Sequence, residues 1–439
     1  MLRCSAANPP EYDTEVTSMS ATTADQARPH HGIGFREFVA MIAALMAVNA
    51  LAIDTMLPAL PQIGASLDIQ NPNERQWIVT SYLLGFGAAQ LVYGALADRY
   101  GRKRVLLAGL SIYTVFSVVS ALATSFEMMM IARVAQGLGS AATRVLAVSI
   151  VRDCYSGRPM ARVMSFSFLV FLAAPIIAPS IGQAIMLVAP WRAVFAVLAL
   201  FCVCVMIWVT LRLPETLHPQ DVTPLRLGRV LGSFRAVLTN RISIGYTLAM
   251  TLIMSALIGF INSAQQVFTD VFHTPRLFTT IFALIACFVG AASLVNARLV
   301  GRLGTRVLSH SALTSFIVVA IVHAGVALAG WETLLSFAIL QSMTMFCFGL
   351  VGSNFGSMAM EPLGHLAGTA SSAQGFISTF GSAMLGFWIG QQFDGTDAPL
   401  TLGFAVLGIG AMAIVLVTER GVLFRPTAAG ISSSDRVGR

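Results

Sequence analysis

About a dozen apolar stretches of 18 to 25 residues run through this chain, and each is long enough to cross a hydrocarbon core of roughly 30 Å as a helix. That feature predicts an all-α membrane protein. Only 11% of the 439 residues are charged, against roughly 25% in a soluble domain, and 56% are hydrophobic. An ordinary soluble enzyme and a nucleic-acid binder are excluded on that ground. The net charge of +7 does not bring a polyanion partner back, because the basic residues are divided among short loops, where they report topology.

The first 35 residues are polar, with Pro9, Pro10 and His30-His31, and lack the basic-then-apolar pattern of a secretory signal. They read as a disordered cytoplasmic tail, with Met19 as an alternative start. Spans are predicted at about 37–60, 76–97, 104–125, 127–150, 161–188 and 192–211, then at about 242–266, 277–297, 306–329, 333–358, 366–391 and 399–418. Twelve spans return both termini to one side. Of the 27 basic residues, 22 fall on that side, three (Arg75, Arg192 and Arg276) on the other, and two within spans, so both termini are predicted to be cytoplasmic.

Residues 36–212 and 240–418 are 177 and 179 residues long, two six-span halves joined by a linker at 213–239 and followed by a tail at 419–439. This is the parallel-repeat design of some secondary transporters, whose substrate site lies between the halves near mid-membrane. The loop Asp98-Arg99-Tyr100-Gly101-Arg102-Lys103 has an echo 203 residues later in Gly301-Arg302-Leu303-Gly304-Thr305-Arg306, with the acid lost. In the linker, Leu227, Val230, Leu231, Phe234, Val237 and Leu238 recur at helical spacing among Arg226, Arg229 and Arg235. Two readings stand for it, an amphipathic helix on the inner leaflet or a tether packed on the bundle.

Charged side chains inside spans cost about 2.5–3.5 kcal/mol each at a helix centre, and Asp54, Arg133 and Arg144 are the three found. Asp54 and Arg133 both fall about 9 Å below the outer face by residue count. At one depth they can form a structural pair; alternatively Asp54 carries the coupling proton, with Arg133 favouring its charged form and burial opposing it. On span 4, Arg133, Gln136, Gly137, Ser140 and Arg144 share one helical face, which predicts a polar stripe that is partly packing and partly cavity wall. Asn262, Gln265 and Gln341 are further cavity candidates, beside Gln90, Gln266 and Gln374. His323, alone in span 9, reads as a packed residue. Pro175, Pro179 and Gly182 predict a bend in span 5 where the halves rock.

ATP hydrolysis is excluded, because the one lysine, Lys103, is followed by Arg104 and no phosphate loop exists. Six cysteines with neither disulfide nor zinc spacing read as packing residues. No cofactor and no metal are expected, and an HExxH metal motif is absent.

The segment Gly94-Ala95-Leu96-Ala97-Asp98-Arg99-Tyr100-Gly101-Arg102-Lys103 resembles motif A of the major facilitator superfamily. Arg133-Val134-Ala135-Gln136-Gly137-Leu138-Gly139 is similar to its motif B, and Asp54 to Pro61 is similar to the end of span 1 in the drug:proton antiporters of the Bcr/CflA type. The resemblance implies the twelve-helix major facilitator fold, a proton-coupled site at Asp54 and Arg133, and a monomer in a bacterial inner membrane. It also implies that Asp98, Arg102 and Asp153 form an inner-face charge relay, within the switch loop of Gly94, Arg99, Gly101 and Lys103, that clamps the outward-facing state. Span 5 departs from the antiporter motif, with Ala174, Ala178 and Gln183 where glycines are expected, and Met46 and Asn49 stand where some relatives carry a second acid in span 1.

These readings converge on a proton-driven exporter of small lipophilic molecules working by alternating access. Its partners are a small-molecule substrate, protons and the lipid bilayer. An exporter of one metabolite such as a sugar or siderophore is the alternative within the class. A non-transporting sensor or scaffold is the alternative outside it.

Overall fold

The structure, a computed structural model, describes residues 33–218, 220, 222 and 227–424. The expected tails at 1–32 and 425–439, and Arg226 of the linker, lie outside these. Among the described residues, twelve helices of 20 to 32 residues carry the fold. They are α1 (Phe35–Asp54), α2 (Trp77–Tyr100), α3 (Arg102–Ala121), α4 (Phe126–Cys154), α5 (Gly157–Val188), α6 (Arg192–Arg212), α7 (Arg241–Gln266), α8 (Phe278–Leu303), α9 (Thr305–Leu328), α10 (Leu334–Met360), α11 (Ala367–Gln391) and α12 (Ala398–Thr418). Ten helical stretches are long and apolar enough to cross a membrane, and Ala173–Val188 of α5 adds a shorter one. Being even in number, the helices return both ends of the bundle to one side, here termed the near end; the opposite side is the far end.

Local chemistry starts several of these helices. Ser125 accepts from Met128 N before α4, Asn240 accepts from Ile242 and Ser243 N before α7, and Thr333 with Ser336 forms a capping box on α10. The joints between α2 and α3 and between α8 and α9 are each a single glycine. Gly101 has φ 98° and ψ 148°, and Gly304 has φ 79° and ψ 158°. This region of backbone space belongs almost wholly to glycine, and another residue there costs about 1–3 kcal/mol. The echo between the two loops is therefore a shared backbone device, 203 residues apart.

Burial divides the helices by position. α1, α2, α4, α7 and α10 are mostly enclosed, whereas α6, α8 and α9 leave long apolar faces bare, with Leu200, Leu211, Leu294, Val318 and Ile321 exposed. Apolar faces of that extent fit lipid, not water. Close approach between the enclosed helices needs small residues. A Cβ on Gly85 would collide with the Val134 carbonyl, and one on Gly137 with the Tyr82 carbonyl, so α2 and α4 touch backbone to backbone.

One expectation is revised and one open choice is decided. α1 ends at Asp54 and gives way to a turn, a short 3-10 piece at Leu57–Ala59 and a helix at Leu60–Ser66 that continues the span. Asp54 thus lies twelve residues before the end of that span, deeper than the residue count to Leu60 suggested. The linker helix, Leu227–Thr239, packs on the bundle: Val237 is fully buried with Leu363, Ala370 and Ala373, and the Phe234 ring stands 5.8 Å from Phe376 of α11. α5 continues as one helix past both Pro175 and Pro179.

Candidate functional site

Arg133 and Asp54 both lie inside the first half, but the structure does not pair them. The Arg133 guanidinium, fully buried, donates from Nε to the Ile78 carbonyl at 2.9 Å, from Nη2 to the Ala52 carbonyl at 3.2 Å and from Nη1 to Gln136 Oε1 at 2.6 Å. The Tyr82 ring centroid lies 4.5 Å from its Cζ and that of Phe195 5.8 Å. Arg133 therefore ties α1, α2 and α4 together through backbone carbonyls, and its charge is met by carbonyl dipoles and ring faces. This corrects the expected acid–base pair. Arg133 reaches the carbonyl two residues before Asp54, not its carboxyl group.

Asp54 is left without a cation. It is 4% exposed, and its Oδ1 has no hydrogen-bond partner. It closes α1, at the end of a helix where carbonyl dipoles point and negative charge is disfavoured. The break that follows is pressed by α5: a Cβ on Gly182 would collide with the Thr55 carbonyl, so Gly182 lets α5 lie directly on the turn beside Asp54. Besides its place in the predicted bend, Gly182 provides this close backbone approach.

Gln136 and Ser140, expected on the cavity wall, are instead fully buried inside the first half. Gln136 Nε2 donates to Ser117 Oγ at 2.7 Å, and Tyr82 Oη lies within hydrogen-bond distance of both Ser140 Oγ, at 2.6 Å, and Asn49 Oδ1, at 2.8 Å. The stripe on α4 is a polar core that holds α1, α2, α3 and α4 in register. Arg144 differs. It lies four residues beyond Ser140, within about 40° of it around the helix, yet its side chain is exposed, with Cζ 6.0 Å from the Phe86 ring.

Side-chain hydrogen bonds join the halves at the far end, and α2 packs on α11 from Gln76 beside Gly390 to Gly94 beside Ser372. Asn73, before α2, donates to the carbonyls of Gln391 and Phe393 at 3.3 and 3.0 Å, and Gln391 Nε2 returns a bond to the Asn73 carbonyl at 2.7 Å. Gln76 donates to Gln266 Oε1 at 2.7 Å and to the Gly390 carbonyl at 3.0 Å. Asn262 Nδ2 donates to Thr80 Oγ1 at 3.3 Å, and Thr279 on α8 bonds Gln183 on α5. Deeper in the interface Gln90 donates to Thr379 at 3.0 Å. Gln265 bonds only its own neighbour Thr269, and Gln341 is fully buried with neither amide atom hydrogen-bonded. Of the cavity candidates, Asn262, Gln266 and Gln90 bridge the halves.

The near end is organised by Arg102. Its guanidinium bonds Asp98 one turn back and, from Nε, Asp153 at the end of α4 at 2.9 Å. Glu215 completes the loop by accepting from the backbone N–H groups of Arg102 and Lys103 at 2.7 and 3.2 Å, while Lys103 Nζ donates to the Thr210 carbonyl at 2.8 Å. A Cβ on Gly101 would collide with Glu215. Arg99 is exposed, and Gly94 faces Ser372 of α11 closely enough that a Cβ would stand 3.5 Å from its Oγ. The second half builds a matching cluster with other acids: Arg306 meets Glu361 at 3.6 Å and Glu419 at 3.0 Å. Burial opposes the charge of Glu419, but hydrogen bonds from Tyr246 and Arg306 outweigh it and hold its carboxyl below the usual range. Glu419 and Phe424, expected in a tail, are docked on α9.

His323 is not alone. Its Nε2 stands 3.0 Å from Glu332 Oε1, and Asp397 joins them, the three donor atoms all within 4.8 Å of one another. A metal would need such a spacing, but one proton shared between the carboxyl groups already accounts for the cluster. Burial first, then the hydrogen bond and charge of Glu332, push the Asp397 carboxyl up to about 7, and burial also raises Glu332. The fold keeps a proton on Asp397 that the unfolded chain, titrating near 3.9, has already lost. Stability from this group is therefore full below about pH 4 and falls as pH rises toward about 7. Thermal unfolding of detergent-purified protein across pH 5 to 8 is expected to show this decline, and Asp397→Asn to flatten it. An unchanged slope in the variant would show that the proton sits elsewhere.

The sequence profile of the Major Facilitator Superfamily matches residues 42–386. The chain is 30% identical to the multidrug resistance protein MdtL of Escherichia coli over 380 residues, 85% of this chain and 89% of that one. It is 27% identical to a bicyclomycin resistance protein homolog of Haemophilus influenzae over 394 residues, 88% of this chain and 98% of that one. Among solved structures, a bacterial homolog of the human lysosomal transporter Spinster superposes with a TM-score of 0.67 at 15% identity, over 90% of this chain and 99% of that one.

Proposed function

The chain belongs to the Major Facilitator Superfamily, and from that premise we propose that it is a proton-coupled exporter of small lipophilic compounds, working by alternating access of its two halves. The names of the MdtL and bicyclomycin resistance relatives support a drug as cargo. The observation that carries the proton is Asp54. A buried carboxylate with no cation is costly, whereas the same group carrying a proton is tolerated, so Asp54 suits a site that is protonated when enclosed and releases its proton when the halves open it to water. Arg133 is a positioning residue in this scheme, fixing α1 through Ala52 so that the break at Asp54 stays in place.

The near end is cytoplasmic by its arginines, and the membrane is the bacterial inner membrane. The far end is joined by amides, and α2 and α11 stay in contact toward the near end at Gly94 and Ser372. Asp98, Arg102 and Asp153 act as the near-end switch, and the boundaries 36–212, 213–239 and 240–418 delimit the moving halves. One proton entering per neutral molecule expelled supplies about 2.3 kcal/mol per 100 mV, enough for a gradient of about 40-fold. The test is lumenal pH in proteoliposomes of the purified chain challenged with bicyclomycin and a panel of lipophilic drugs. A drug-dependent proton flux is expected. Its absence for every drug, from protein shown to be folded, would overturn the drug-antiport reading and turn the search to single metabolites.

A further inference from the structure

The space between the helices holds one charge that nothing on the protein answers. Arg144 lies on α4 in the sector of the fully buried Arg133 and Ser140, with its Cζ 6.0 Å from the buried Phe86 ring, so its exposure is toward the space between the helices. It sits ten residues before the near end of α4, about 15 Å into the bundle. Among the described residues its guanidinium has no hydrogen bond and no ion pair; its one recorded contact is the Phe86 ring. No acid can reach it from the surrounding walls. α5, α7, α8, α10 and α11 contain none, and those of α1, α2 and α4 lie within three residues of a helix end. Asp54, the one deep acid, is enclosed behind the turn under α5.

An arginine in a protein-walled space keeps its charge and seeks two oxygen acceptors in its own plane. Arg133 shows what this bundle does with a guanidinium meant to be structural: it surrounds it with carbonyls and rings. Arg144 has been given one ring. We propose that Arg144 is the cargo-binding group for an anion, so that the molecules this protein exports are lipophilic organic acids whose carboxylate docks on Arg144 while the apolar body lies toward Phe86. This rests on the export reading and narrows its substrate class.

The proposal changes the energetics of the cycle. A monoanion leaving and a proton entering move two charges in the favourable direction, which raises the limit per 100 mV from about 40-fold to about 2,000-fold. Transport would then be electrogenic, with two charges per turnover.

The test uses matched probes on the purified full chain in detergent: 1-naphthoate, 2-naphthoate and 4-phenylbenzoate, each against its primary amide and against the corresponding arylmethylammonium cation, by equilibrium binding. A charge-assisted hydrogen bond is worth about 1.5–3 kcal/mol, so at least one carboxylate is expected to bind about tenfold to 100-fold tighter than its amide. Arg144→Gln is expected to erase that preference without weakening amide binding, and Arg144→Lys to keep part of it. Size-exclusion profile and thermal midpoint check that the variants fold. Equal binding of acids and amides, or a preference that survives in Arg144→Gln, overturns the proposal. Tighter binding of the cations or amides overturns it while leaving export of other drugs standing, and no binding in any charge class to folded protein overturns both.

Discussion

Asp54→Asn is expected to abolish drug-dependent proton flux in proteoliposomes, down to the level of empty vesicles, while the protein still folds and still binds drug. The asparagine is nearly the shape of a protonated aspartate, and the site it enters is closed, uncharged and pressed by the Thr55 turn and Gly182. Nothing there pairs with a carboxylate, so the exchange removes no ion pair and leaves no buried cation stranded. Stability is therefore expected to hold or rise, since burying an ionisable group without a partner is a cost the asparagine does not carry. Drug affinity in the variant should change by less than about tenfold, or 1.4 kcal/mol. The informative contrast is between coupled and uncoupled movement. Drug exchange down its own gradient should persist if only the proton carrier is lost. Proton flux that survives in Asp54→Asn would move the carrier to another residue.

The helices were legible because a hydrocarbon core imposes a minimum apolar length that no other element meets, and the glycine joints because their loops repeat in register. The near-end triad was legible too, since Asp98 and Arg102 are one turn apart and the family resemblance implies Asp153 as their partner. What sequence could not carry was direction. Helical spacing put Arg133, Gln136, Ser140 and Arg144 on one face, but whether that face meets a core or an opening depends on how far the neighbouring helices splay, which is a tertiary property. Hence two of them became core, one a brace and one an exposed cation. The pairing of Asp54 with Arg133 failed for a similar reason: a depth counted in residues fixes at most one coordinate of three, and backbone carbonyls, invisible to a search for charges, were nearer partners. Glu215 and the Asp397–Glu332–His323 cluster were missed because their contacts span loops whose sequence has no period to read. The far-end lattice of Asn73, Gln76, Gln266 and Gln391 gave a signal only as scattered amides.

That lattice leads to the second large effect. In a background lacking the six native cysteines, the double variant Asn73→Cys with Gln391→Cys is expected to form a disulfide on oxidation, which halts transport and releases it on reduction. Asn73 and Gln391 each bond the other's backbone, so the two positions are near neighbours across the halves in this state. Each neutral amide bond there contributes only about 0.5–1.5 kcal/mol net, and water can replace it. A gate built this way opens without baring a charge, as a protein alternating between two states a few kcal/mol apart requires. A covalent link removes that freedom: the far end cannot part, and cargo reaches the site from the near end alone. Drug binding from the cytoplasmic side should therefore persist in the oxidised protein while export is lost. Export at the native rate in fully cross-linked protein would mean that the halves do not separate at Asn73 and Gln391, and the far-end amides would then be permanent packing.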